Sequence, residues 1–112
     1  CPSPSQRSLA RALVAAGADI VVGGHAHRLQ GAGRMEGGLV AYGLGNFLFQ
    51  ATSPDAARTG VLEVTVTGRR VDGYRWVPGR ISGGVPAPVT GADAAAELAS
   101  WEALRGCTEL VP

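Results

Sequence analysis

A helix that leads without a linker into a short β-branched run is the feature that most restricts the fold of this chain. Residues 3–6, Ser-Pro-Ser-Gln, match a capping box at a helix N-terminus, and Gly17 is a typical helix stop. The apolar positions at helical spacing are Leu9, Ala10, Leu13 and Val14. Ile20-Val21-Val22 then predicts a strand buried on both faces. This order of elements predicts the α/β fold class.

Both histidines of the chain follow this strand directly, in the segment Gly23-Gly24-His25-Ala26-His27. Imidazoles two residues apart can point to one side of an extended segment, or in a loop toward two neighbouring ions. Neutral imidazole is a common ligand of divalent metals, and ligands collect at strand ends in layered α/β proteins. The pattern makes His25 and His27 candidate metal ligands; two ordinary loop histidines remain the alternative.

The rest of the chain offers no obvious third ligand. A hydrolytic metal centre needs at least three protein ligands, and a two-metal centre needs more. The nine acidic residues include Asp19, Glu36, Asp55 and Asp72, none of them at a recognisable ligand spacing. There is also no G-x-S-x-G nucleophile elbow and no P-loop. The histidines are therefore predicted to form part of a site that this chain does not complete.

The middle of the chain predicts two hairpins. Glu36-Gly37-Gly38 favours a turn between two short strands, and the polar segment 52–59 predicts a surface loop. Apolar and polar residues then alternate as in a half-buried strand, which turns near Gly68-Arg69 and returns with Tyr74 and Trp76 on one side.

The last part of the chain predicts an extended segment and a second long helix. Residues 83–88 are rich in Gly and Pro and predict an extended surface segment. Thr90 and Asp93 match a capping box, and Gly106 marks the helix end. The predicted packing face consists of Leu98, Trp101 and Leu104.

Two cysteines, Cys1 and Cys107, stand near opposite ends of the sequence. A disulfide between them would indicate an oxidising compartment, and two separate thiols are equally compatible with the sequence. Because residue 1 is Cys rather than Met, we expect that the natural N-terminus lies upstream and that the chain is a fragment or cleavage product.

Composition argues against two classes of partner. The ten basic residues are all Arg and are scattered, and the net charge of +1 gives no nucleic-acid footprint. No run approaches the roughly 18 apolar residues of a membrane span, and no signal peptide is visible. At 112 residues we expect one domain, with no nucleic-acid partner and no membrane span in this chain.

Four segments carry a resemblance to a known family. In order they are GADIVVGGHAHRLQG, GLVAYGLGNFLF, GVLEVTVTGRRVDGYRWVPGRI and GVPAPVTG. They resemble the C-terminal part of the CapA family of capsule-synthesis, or poly-γ-glutamate-biosynthesis, proteins, which is similar to the calcineurin-like metallophosphoesterases. The resemblance implies that residues 1–112 are the C-terminal portion of one four-layer α/β/β/α sandwich domain whose upstream part is absent.

The resemblance also implies a site of two divalent ions, Mn, Zn or Fe, at the strand ends. His25 and His27 match the family's Gly-His-x-His motif and would each serve a different ion. The other ligands of the family come from an Asp-bearing strand end, an Asn-His segment and a His-Trp-Gly segment, none of which is present. The intact protein would hydrolyse phosphoesters with metal assistance, and this chain alone would be inactive. A non-catalytic scaffold or binding module of a cell-surface polymer synthesis or export assembly is the alternative.

Two residues beside these motifs are candidate substrate-binding residues. Arg28 could face a substrate phosphate or carboxylate, or be a solvated side chain. Asn46 could orient a ligand or substrate, or stabilise the tight turn of residues 43–46. The implied partners are the absent N-terminal portion of the domain and cell-surface polymer or capsule-assembly proteins. The implied location is extracytoplasmic, at the cell surface through an upstream anchor, which agrees with a Cys1–Cys107 disulfide.

Overall fold

Two three-stranded sheets and three α-helices make up the computed structural model, which describes all of residues 1–112. The elements are α1 (Pro4–Ala15), β1 (Ile20–Val22), β2 (Ala32–Met35), β3 (Gly38–Ala41), α2 (Pro54–Ala57), β4 (Arg58–Thr67), β5 (Arg70–Ser82), β6 (Val85–Pro88), α3 (Gly91–Ala103) and a 3-10 turn (Leu104–Cys107). The sheets have the orders β1-β3-β2 and β4-β5-β6. The predicted α/β class is confirmed. None of the helices has the length and apolar composition needed to cross a bilayer.

Helix α1 begins and ends where the sequence predicts. The Gln6 amide donates to Ser3 Oγ at 3.2 Å, and the Ser3 amide donates to Gln6 Oε1 at 2.8 Å, which completes the capping box. Gly17 lies in the left-handed region at φ +102°, and the Ala18 amide donates to the Leu13 carbonyl. This is the hydrogen-bond pattern of a glycine-terminated helix.

The face of α1 that packs on the sheet is narrower than predicted. Ala10 and Val14 are buried in the core, whereas Leu9 and Leu13 are 61% and 41% exposed. The two smaller side chains face the sheet, so the leucines lie at the margin of the contact.

The prediction that β1 is buried on both faces is wrong. β1 is an edge strand that pairs, in parallel, with β3 alone. Val21 packs against the core beneath α1, but Ile20 and Val22 are 40% and 53% exposed. Since alternate residues of a strand point to opposite faces, only the face that α1 covers is buried.

A two-residue turn sets the register of the first hairpin. Glu36 and Gly37 have φ of +50° and +87°, as in a type I′ turn, and Met35 pairs with Gly38 across it. The predicted turn is confirmed, except that Gly38 is already the first residue of β3. β3 is the central strand of its sheet and is buried throughout.

The second predicted hairpin, β4–β5, is confirmed with its turn at Gly68-Arg69. On β5, Trp76 is buried and stacks on Trp101 of α3, with ring centroids 5.1 Å apart and ring planes 3° from parallel. The same cluster contains Ala32 of β2 and Ala41 at the end of β3. The two tryptophans therefore join the second sheet to the first.

The predicted loop 52–59 contains regular structure, and the predicted extended surface segment 83–88 is confirmed as a strand that follows a glycine turn. Residues 52–59 hold helix α2 and the start of β4, and the Ala56 amide donates to the Ser53 cap at 3.2 Å. Residues 83–88 form a turn at Gly83-Gly84 and then strand β6, which pairs antiparallel with β5. In both places a cap or a glycine turn, and not apolar periodicity, organises the chain.

Helix α3 follows Thr90 as predicted, but the capping box with Asp93 does not form, and Thr90 makes no side-chain cap bond. Gly91 has φ +63°, so the chain departs from helical geometry at the position that would align the cap. The helix ends at Ala103 and tightens into the 3-10 turn, which contains Gly106.

Of the two arrangements that the sequence allows for the cysteines, the structure contains the disulfide. Cys1 and Cys107 are bonded, with Cα atoms 5.6 Å apart. Arg7 donates to the Cys107 carbonyl, and Gln30 Nε2 donates to the Cys1 carbonyl at 3.3 Å. This junction ties the start of α1 to the 3-10 turn.

A buried tyrosine holds the last residues of the chain. Tyr42 donates to Glu109 at 2.8 Å, and burial together with this hydrogen bond raises the pKa of Tyr42 above its ordinary value. Burial also acts to raise the pKa of Glu109. The hydrogen bond from Tyr42 and the charges of Arg7 and Arg11 outweigh burial, so the pKa of Glu109 is lowered.

Candidate metal centre

Both histidines lie in the exposed loop that follows β1, at the carboxyl end of the strand. Their backbones are in the left-handed region, with φ of +71° at His25 and +53° at His27. Residues other than glycine adopt this conformation uncommonly, and such strain clusters at functional sites. The loop therefore curls tightly and brings its two imidazoles close together.

The two imidazole rings are neighbours, with centroids 6.0 Å apart and planes at 64°. The Phe49 ring also lies 4.9 Å from the ring of His27. Ions of a two-metal centre are about 3.5–4 Å apart, so rings at this separation can each reach one ion of a pair. This geometry fits the predicted role of His25 and His27 as ligands of different ions.

His27 is hydrogen-bonded to Asn46, whose Oδ1 lies 2.7 Å from His27 Nδ1. Asn46 is buried, and its Nδ2 donates to the Ala56 carbonyl at 3.0 Å and to the His27 carbonyl at 3.4 Å. The backbone carbonyl of Asn46 accepts a hydrogen bond from Thr59 Oγ1. Asn46 therefore links the histidine loop to α2 and β4.

The register of the first hairpin explains why His27 and Asn46 meet. Pairing of β2 with β3 continues beyond the strands, since Leu29 forms an antiparallel bridge with Leu44. His27 and Asn46 lie the same number of residues from the Glu36-Gly37 turn, one before it and one after it. Continued antiparallel pairing therefore places them opposite each other. Their equal distance from the turn is a signal in the sequence that could have predicted the contact.

Arg28, the other candidate substrate-binding residue, forms an ion pair with Asp55 at 3.0 Å. Both side chains are more than half exposed, so the pair contributes little to stability. Because the pair is weak, Arg28 is free to exchange Asp55 for another anion, and its role toward substrate stays a prediction.

The two histidines of this chain could form part of a metal site. Neutral imidazole suits Zn, Fe and similar divalent ions, and both rings are exposed. No third His, Cys, Asp or Glu side chain joins His25 and His27 in a group that could hold a metal ion. The chain therefore offers two candidate metal-binding imidazoles, fewer than the three or more protein ligands that a catalytic metal centre needs.

Comparison with known proteins identifies relatives among capsule-synthesis proteins. Residues 1–51 match the family model of the bacterial capsule synthesis protein PGA_cap. The chain is 38% identical over 91 residues to the capsule biosynthesis protein CapA of Bacillus anthracis, and 34% identical over 88 residues to the PGA biosynthesis protein CapA of Bacillus subtilis (strain 168). The chain belongs to the PGA_cap family.

The predicted membership in the CapA-type capsule-synthesis family is thus confirmed. The PGA_cap match contains α1, the first sheet, both histidines and Asn46. The two alignments cover 81% and 79% of this chain but 22% and 23% of the relatives. The chain therefore spans less than a quarter of the length of the curated relatives that it matches.

One neighbour of the site was not predicted from the PGA_cap-like motifs. Phe49 contacts His27, and it ends the apolar run Phe47-Leu48-Phe49, whose residues are 56%, 75% and 47% exposed. Three exposed apolar residues in succession, directly after Asn46, are the sequence signal that could have pointed to this side of the site.

In this PGA_cap-family chain, we expect Gly23→Ala to distort the histidine loop and Gly24→Ala to leave it unchanged. A Cβ at Gly23 would lie 2.3 Å from the Tyr42 carbonyl oxygen, whereas a Cβ at Gly24 meets nothing within 4 Å. Gly23→Ala should cost about 1–3 kcal/mol of unfolding free energy, as other overpacking changes do. Gly24→Ala should change it by less than about 0.5 kcal/mol. Urea denaturation measures both, and equal losses would contradict the steric argument.

Proposed function

We propose that the protein carrying this chain is a metal-dependent phosphoester hydrolase of capsule or poly-γ-glutamate biosynthesis. His25 and His27 would be ligands of two neighbouring divalent ions. The observation that carries the proposal is the pair of adjacent, exposed imidazoles on a strained loop at the end of β1. Membership in a capsule-synthesis family with a metallophosphoesterase-like fold supports it.

Bound Mn, Zn or Fe ions would supply Lewis-acid activation of the phosphoester and of the attacking water. The residues of this chain hold and orient the reactants. His25 and His27 offer ring nitrogens to the ions, and Arg28 can turn from Asp55 to a phosphate oxygen of the substrate. The left-handed backbone at both histidines keeps their rings together without a contribution from substrate.

The proposal includes an N-terminal portion of the same domain that supplies the remaining ligands. Two arguments support this. Two histidines are too few for a catalytic centre, and the chain covers only 22% and 23% of its relatives. In this arrangement the exposed face of β1, with Ile20 and Val22, would be covered by that portion.

We further propose an extracytoplasmic location, at the cell surface through an upstream anchor. The disulfide between Cys1 and Cys107 supports it, because disulfides persist in oxidising compartments. Both curated relatives are named for capsule or PGA biosynthesis, which agrees with a role at the cell surface.

A non-catalytic scaffold of a polymer-assembly complex is the second candidate function. The observation that favours it is the exposed apolar group beside the histidines, in which Leu48, Phe49 and Val85 line one surface depression and Phe49 contacts His27. Such a surface is suited to binding a capsule-assembly protein or the polymer.

The two candidates differ in metal content and turnover of the protein expressed from the complete gene. We expect the hydrolase to contain about two metal ions per chain by mass spectrometry and to hydrolyse bis-p-nitrophenyl phosphate. His25→Ala and His27→Ala should each lower turnover more than about 100-fold, beyond the loss typical of an outer-shell residue. The exposed Arg75→Ala variant serves as the control. Bound metal without turnover would favour the scaffold, and unchanged metal content in both histidine variants would overturn the ligand assignment.

A further inference from the structure

We infer that Asn46 is the positioning residue that fixes the tautomer of His27, so that Nδ1 carries the proton and the lone pair of Nε2 is free. The assignment of the tautomer rests on hydrogen bonds within this chain alone. Its consequence for metal binding rests on the proposed function.

The orientation of the Asn46 amide is determined by two backbone carbonyls. Nδ2 lies 3.0 Å from the carbonyl oxygen of Ala56 and 3.4 Å from that of His27. Carbonyl oxygens only accept hydrogen bonds, so the NH₂ group must face them. If the amide were flipped, both hydrogen bonds would be lost and Oδ1 would lie against the two carbonyl oxygens. Oδ1 is therefore the atom that faces the His27 ring.

The protonation of the ring follows from this orientation. Asn46 Oδ1 is 2.7 Å from His27 Nδ1 and can only accept, so Nδ1 must donate. A neutral imidazole carries one ring proton, which leaves Nε2 bare. Free imidazole side chains prefer the opposite form, with the proton on Nε2, so the Asn46 contact works against the intrinsic preference.

Asn46 is held firmly enough to impose this choice. It is 6% exposed, so little water competes for its amide. The backbone carbonyl of Asn46 accepts a hydrogen bond from Thr59 Oγ1, and Thr59 is 2% exposed. Gly45, the residue before Asn46, has φ +74°. A Cβ at Gly45 would lie 3.0 Å from the Leu29 side chain. One amide thus binds both the ring and the backbone carbonyl of His27, which also stabilises the left-handed conformation of that residue.

The role assigned to Asn46 is to orient the His27 ring, which is more than filling the space beside that ring. Metal-bound histidines usually donate their second ring nitrogen to an oxygen acceptor, which fixes the ring and raises its basicity as a ligand. Asn46 supplies such an acceptor before any ion is bound. The ring of His25 contacts that of His27 but has no comparable amide partner, so it serves as an internal reference.

The test is a long-range ¹H–¹⁵N correlation spectrum of the ¹⁵N-labelled, disulfide-bonded chain, recorded with a chelator at about pH 9, where an ordinary imidazole is neutral. We expect His27 to show a protonated Nδ1 and an unprotonated Nε2, and His25 to show the opposite or an average. Asn46→Ala should move His27 toward the His25 pattern. Phe49→Leu, which removes the aromatic ring that lies next to His27, should leave the His27 pattern unchanged. A wild-type spectrum that places the His27 proton on Nε2 would overturn the inference. This outcome does not depend on the folding of any variant.

The effect of Asn46 on metal affinity is measured separately, on the protein expressed from the complete gene. Asn46→Ala should weaken Zn²⁺ or Mn²⁺ affinity by about 10–100-fold, the usual effect of losing such a partner. If that protein binds neither ion, the proposed function fails while the tautomer assignment stands. If it binds them with equal affinity in both forms, the positioning role of Asn46 at the metal is overturned.

Discussion

The double variant Cys1→Ser/Cys107→Ser is expected to lose about 3–5 kcal/mol of unfolding free energy and at least about 15 °C in Tm. The disulfide joins residues 106 positions apart, so it restricts nearly the whole unfolded chain. A crosslink that closes a loop of about 100 residues is worth up to about 4.7 kcal/mol by the chain-entropy argument. Thermal and urea denaturation under oxidising conditions measure the loss.

Reductant provides the matched control for this prediction. Dithiothreitol should bring the wild-type Tm down to that of the double variant and should leave the variant unchanged. Two thiols that react in the unreduced native protein, or a Tm insensitive to reductant, would contradict the bonded arrangement. The supporting argument for an extracytoplasmic location would fall with it.

Trp101→Ala is expected to lower the free energy of unfolding by about 3–5 kcal/mol, the range for truncating a buried large aromatic residue. Trp101 is 3% exposed and stacks on Trp76 at 5.1 Å. Its cluster includes Ala32 and Ala41 of the first sheet, so the cavity would open between α3 and both sheets. Against a total stability of about 5–15 kcal/mol, this loss leaves little margin. Urea denaturation followed by far-ultraviolet circular dichroism measures it.

Trp101→Phe is the matched control for the packing argument. The indole Nε1 of Trp101 is buried without a hydrogen-bond partner, so phenylalanine gives up no hydrogen bond and keeps an aromatic face toward Trp76. We expect a loss below about 1.5 kcal/mol. A loss as large as that of Trp101→Ala would contradict the argument that the aromatic stacking on Trp76 carries most of the effect.

Much of the local structure could be predicted because it depends on residues close in sequence. The capping box of Ser3 and Gln6 and the glycine stop at Gly17 need only neighbouring groups to form. The turn at Glu36-Gly37 and the alternation along β4 are equally local. Where a local signal was weak, as in α2, prediction failed, because a single cap competes with irregular structure on nearly equal terms.

Burial could not be predicted in the same way. Ile20 and Val22 have the composition of a core strand, yet β1 lies at a sheet edge with one face uncovered. Leu9 is more apolar than Ala10, yet Ala10 faces the sheet. Which face is buried depends on the elements that pack there, and apolar composition alone does not specify them.

By itself, the sequence determined the histidine pair, its place after a strand, the glycines around it and the hairpin turn that sets the register. These follow from residue type and spacing. Only the tertiary structure decided that both histidines take the left-handed backbone, that Asn46 meets His27, and that Ala56 binds the side-chain amide of Asn46 while Thr59 binds its backbone carbonyl. The physical reason is that Ala56 and Thr59, which hold Asn46 by its side chain and its backbone, belong to two later elements, and their approach is set by the packing of the second sheet.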